Sequence, residues 1–140
     1  MIPDTARYIR RTSRVTKNFR LNQLTDDSLT ILLIAAHAAQ PKSETDFYVS
    51  AELVKALRGC AFGYHVDARG SFTFETLERD FVILGEAAFH ALVAALKAAR
   101  EAGRFPGALA PGVVAAIEIL SRPEPIGGEK PAAPAAPEKE

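Results

Sequence analysis

The 140-residue sequence has a single cysteine, Cys60, so no disulfide can form within the chain, and no partner stands at zinc-ligand spacing from it. His37, His65 and His90 also lack companions at metal-ligand spacing, and neither a metal nor a cofactor is expected. Net charge is absent too: 17 basic residues balance 17 acidic ones, so no global field draws the chain to a polyanion. Nor is there a spanning run, because Leu29 to Ala39 is too short to cross a bilayer and the N-terminus lacks the apolar core of a signal peptide. No internal repeat appears. These absences predict one small domain with appended segments, in a reducing cytoplasm and away from membranes.

What is present is distributed unevenly. Arg7, Arg10, Arg11, Arg14, Lys17 and Arg20 face the single acid Asp4 before residue 22, which makes a basic N-terminal arm. Within it, Arg14 to Leu21 alternates: Val15, Phe19 and Leu21 fall on one side of a strand, and Arg14, Thr16, Asn18 and Arg20 on the other.

Two helices follow. Thr25-Asp26-Asp27-Ser28 supplies a cap and first-turn acids ahead of Leu29, Leu32, Leu33 and Ala36, and Gln40-Pro41 stops the run. Ser43 opens the second helix, with Asp46 placed to complete a capping box; Phe47, Ala51, Val54 and Leu57 repeat at helical spacing until Gly59. Tyr64 to Glu75 then reads as a β-hairpin with Phe72 and Phe74 on its buried face, and Asp80 to Leu84 as a short strand. Glu86 to Ala102 is helical, with Phe89, Leu92, Val93 and Leu96 on one stripe; a last short helix spans Gly112 to Leu120. From Ser121 the Pro/Ala-rich composition predicts a disordered tail. The expected class is therefore α+β, mainly helical. Its segments are a basic arm (1–11), a strand–helix–helix module (12–59), a hairpin (60–78), a strand and amphipathic helix (79–120) and a tail (121–140).

A strand and two helices in about fifty residues cannot bury a sufficient core alone. A homodimer would solve this by pairing two copies of Arg14 to Leu21 into an antiparallel ribbon, which fits the DNA major groove. On the ribbon's outer face Asn18 suits adenine, Arg14 and Arg20 suit guanine, and Thr16 suits a thymine methyl. Phosphates would be held by the helix start at Lys42 and Ser43 and by Arg10 and Arg11 of the arm, although Glu44 and Asp46 oppose an anion there.

Thr12 to Gly59 resembles a ribbon-helix-helix module. Ser43-Glu44-Thr45-Asp46-Phe47, followed by Arg79-Asp80-Phe81-Val82-Ile83-Leu84 and the helix behind it, is similar to the antitoxins that neutralise GNAT-type acetyltransferase toxins. The resemblance implies a non-enzymatic autorepressor whose dimer binds an inverted repeat in its own operator. It also implies that Phe81, Ile83, Phe89, Leu92, Val93 and Leu96 grip the cognate acetyltransferase toxin. The hairpin at 60–78 and the tail depart from the family's pattern.

Plainer readings stand beside these. Alternation alone specifies only burial, and any amphipathic helix shows a stripe like that of Phe89 to Leu96. A stand-alone ribbon-helix-helix repressor or plasmid-transfer accessory protein fits the same module. Arg58 and His65 hint at a small RNA-cleaving enzyme or its accessory subunit, but Gly59 and Gly63 break the helix such a pair would need.

Overall fold

The computed structural model describes residues 17–126. Strand β1 (Asn18–Leu21) leads to α1 (Asp26–Ala38) and α2 (Glu44–Arg58). Both helices start as their sequences dictate, with capping boxes at Thr25/Ser28 and Ser43/Asp46. Four two-residue strands follow, β2 (Ala61–Phe62), β3 (His65–Val66), β4 (Phe72–Thr73) and β5 (Thr76–Leu77). They pair as two small ribbons, β2 with β5 and β3 with β4. Strand β6 (Val82–Gly85), α3 (Glu86–Glu101), α4 (Ala110–Leu120) and β7 (Glu124–Ile126) complete the order. The chain is α+β, as expected.

The central finding concerns β1. It is the middle strand of a three-stranded antiparallel sheet in the order β6-β1-β7. Asn18 stands opposite Gly85 and Ile126, and Arg20 opposite Ile83 and Glu124. Both edges are thus hydrogen-bonded within one chain, and no edge is free for the ribbon expected between two copies. The core that a dimer was expected to complete is completed instead by α3 and α4.

One core joins the segments. Leu21, Leu29, Leu32, Leu33, Leu53, Leu57, Val82, Leu84, Leu92 and Leu96 are buried together, so the strand–helix–helix module and the 79–120 segment share an interior. On the sheet's inner side, Phe19 meets Phe89 with ring centroids 4.9 Å apart. Helix α4 crosses α1 closely because Gly112 is buried; a Cβ there would lie 3.1 Å from Ile31 Cγ1 and 3.2 Å from the Asp27 carbonyl oxygen.

The expected tail from Ser121 is corrected in part, since Glu124–Ile126 forms β7 against β1. Pro125 lies opposite Phe19 and has no N–H to donate, which an edge strand tolerates.

Candidate nucleic-acid interface

Opposed residues in an antiparallel pair point to the same side, so the register sorts the sheet into two faces. Phe19, Leu21, Val82 and Leu84 turn inward, and the last three are buried. Asn18, Arg20, Ile83 and Glu124 turn outward, onto a face that leaves Ile83 44% exposed.

Arg20 organises that face. Its Cζ lies 3.9 Å from the centroid of the Phe81 ring, a cation–π stack that leaves the guanidinium's opposite side uncovered by the ring. Its Nε donates to Asn22 Oδ1 at 2.6 Å, and Asn22 Nδ2 donates to Glu124 Oε1 at 3.0 Å, which fixes Arg20 across the width of the sheet. Arg79 approaches the same ring, with its Cζ 5.6 Å from the centroid. Arg79 was not anticipated as a site residue, yet Arg79, Phe81 and Ile83 alternate at period two, and that spacing could have placed it. Toward the other end the charge reverses: a Cβ on Gly85 would meet Glu52 Oε2 at 3.4 Å and Asn18 Oδ1 at 3.8 Å, so an acid borders Asn18.

Residues assigned in the sequence to two different partners therefore meet on one surface: Asn18 and Arg20 from the DNA set, Phe81 and Ile83 from the toxin set. Phe89, Leu92 and Leu96 are not there. They are 7%, 0% and 2% exposed in the core, which corrects their assignment as a partner-gripping stripe; Val93, beside them, is exposed at 39%. The helix packs its stripe on its own chain.

Lys42 and Ser43 are also apart from this face. Ser43 lies about 14 Å along α2 from Glu52 at a rise of about 1.5 Å per residue. The Ser43 side chain accepts from the Asp46 N–H at 3.1 Å, and the Asp46 carboxylate faces the Ser43 N–H at 3.5 Å. The protein's own acid occupies the helix start proposed for phosphate. Arg10, Arg11, Arg14 and Thr16 lie outside the described residues.

The Arg58/His65 pair does not assemble either. His65 is exposed on β3, while Arg58 stands over Tyr64, 4.6 Å from its centroid. Tyr64 instead meets His37, with 2.8 Å between the hydroxyl and Nε2, and Phe72 packs on the His37 ring at 4.8 Å. Burial, then the nearby Arg58 charge, lowers the His37 pKa; burial raises that of Tyr64. Both shifts favour the neutral forms, and the hydroxyl and Nε2 share one hydrogen bond whose donor is set by the imidazole tautomer.

A histidine with a lowered folded-state pKa favours the fold only while neutral. Its contribution is whole above the ordinary value of about 6.5 and is lost as pH falls from there through the lowered value. Urea titrations at pH 7.5 and 5.5 should show wild type losing more stability on acidification than His37→Gln. An equal loss in both would remove His37 as the cause.

Among the described residues no group of histidine, cysteine and carboxylate side chains is placed to hold a metal ion, and no helix is long and apolar enough to cross a membrane. No family model matches the chain, and no curated protein or solved structure matches it either.

Proposed function

We propose that this chain is a non-enzymatic regulator that binds nucleic acid on the outer face of its three-stranded sheet. The observation that carries the reading is the group of Arg20, Phe81 and Arg79 beside Asn18 on a sheet face where Ile83 is 44% exposed. Arg20, with its guanidinium over the Phe81 ring and its Nε tied to Asn22, offers its remaining donors to a phosphate or a base. Three strands span about 10 Å between outer backbones before side chains are counted, against a major groove about 12 Å wide. That favours a single strand lying across the sheet over insertion into a duplex. Arg10, Arg11 and Arg14, just ahead of β1 in the sequence, supply the phosphate contacts.

The antitoxin form of this reading adds an acetyltransferase partner and repression of the chain's own operon as a dimer. Its support is the order of the two motifs in the sequence. In this form the partner contacts fall on Phe81 and Ile83, so the toxin and the nucleic acid compete for one face. Dimer contacts must lie away from β1.

The test is fluorescence anisotropy with a duplex from the gene's upstream region and with each of its separated strands. Arg20→Ala combined with Arg79→Ala should weaken binding roughly 10- to 100-fold, the worth of one or two stacked contacts. Unchanged affinity in a variant with wild-type circular dichroism would overturn the proposal. Tighter binding of the duplex would restore the operator reading over the single-stranded one. Failure of co-expression to relieve the toxicity of a neighbouring acetyltransferase would remove the antitoxin form alone.

A further inference from the structure

A second surface lies away from the sheet. Helix α1 and the β3–β4 hairpin border a groove of about 640 Å³, within the usual range for ligand sites. Along one wall the helix contributes Asp26, Thr30, Ile34 and His37; along the other, every residue from Gly70 to Glu75 takes part. A wall made of consecutive residues around strand β4 presents main chain as well as side chains.

That main chain has unused groups. Strand β4 pairs only with β3. The Asp67 N–H donates to the Ser71 carbonyl at 2.9 Å, and His65 stands opposite Thr73. Hydrogen-bonded pairs alternate in an antiparallel ladder, so Thr73 exchanges its bonds with His65, while the N–H and C=O of Phe72 and Phe74 point away from β3. Among the described residues no backbone bond outside that ladder involves Phe72 or Phe74. The edge stays in place because Phe72 packs on His37 and the Asp26 carboxylate accepts the Leu77 N–H at 2.8 Å.

The two ends of the groove also differ in charge. Asp26 and Glu75 mark one end; Arg104, which shares a crevice with Ala38, Ala39 and Gln40, marks the other. Among the described residues none of these three charges has an ion-pair partner. From Asp26 to Ala38 the helix rises about 18 Å, the length of roughly five residues of extended chain.

We propose that this groove binds the C-terminal segment of a partner protein as an added strand on β4. The peptide runs antiparallel to β4, with its free carboxylate at Arg104 and a basic residue about five positions upstream at Asp26 and Glu75. Main-chain bonds to Phe72 and Phe74 give affinity, and the two charged ends give direction. Alternate side chains of the peptide land on Ile34 and Thr30. A reversed peptide would bring its carboxylate to the acids and its basic residue to the arginine.

The test presents the immobilised full chain with a random hexapeptide pool bearing free carboxylates and with the same pool amidated. The free-carboxylate pool should be retained roughly tenfold or more above the amidated one, as expected for loss of a charge-assisted bond. Retained sequences should be enriched in lysine or arginine near their N-terminal end. Arg104→Ala should abolish the difference between the pools while leaving nucleic-acid binding unchanged. The most enriched peptide should slow hydrogen exchange at the Phe72 and Phe74 amides. Equal retention of both pools, including none of either, overturns the proposal, as does unaltered exchange at those amides.

Discussion

Leu92→Ala should lower stability by about 2–5 kcal/mol, whereas Val93→Ala, one position along the same helix, should change it by only about 0.5 kcal/mol. Leu92 is fully buried, and its truncation leaves a cavity between α3 and the rest of the core; Val93 is 39% exposed. A domain of this size has about 5–15 kcal/mol in total, so the first substitution removes a large share of it. Urea denaturation of the two variants distinguishes a core stripe from a partner stripe. If Leu92→Ala proved as mild as Val93→Ala, and lost only binding to another protein, the packing of α3 described above would be wrong.

Gly112→Leu should be nearly as damaging, on the order of 3 kcal/mol, the upper part of the range for overpacking. Even a single Cβ at this position comes within 3.2 Å of the Asp27 carbonyl oxygen, which belongs to helix backbone and cannot swing aside. A leucine forces α4 off α1, and β7 follows α4 after only a few residues. The variant should therefore lose hydrogen-exchange protection in β1 and β7 before the rest of the sheet. Uniform loss of protection across the domain, or none, would contradict this local route. Releasing β7 also exposes an edge of β1, so the variant should be prone to association.

Both cases show which features a sequence carries in itself. The caps at Thr25 and Ser43 were legible because a cap is local: a hydroxyl, a backbone N–H three residues on, and a side chain reaching back. The hairpin at Tyr64 to Glu75 was legible for a similar reason. The partners of β1 were not, because alternation reports that Phe19 and Leu21 face a core without saying which strands lie beside them. The Phe89 to Leu96 stripe has the same ambiguity, since it reads identically whether it packs on its own chain or on another. Strand β7 was hidden by composition; Glu124-Pro125-Ile126 resembles the start of a tail, and only pairing with β1 makes it a strand. On the proposed interface, Asn18, Arg20, Phe81 and Ile83 were all singled out from sequence. Their meeting on one face depends on a pairing across more than sixty residues, which no local pattern encodes.

The placement of β7 also orders events in time. β1 is made early, yet one of its neighbours is about a hundred residues further along the chain. At roughly 5–20 residues per second, the ribosome takes on the order of 5–20 s to deliver it. Throughout that interval the nascent chain carries an incomplete sheet, and Arg20 lacks the Asn22–Glu124 tie that later holds it. The outer face of the sheet is therefore among the last parts of the described molecule to mature.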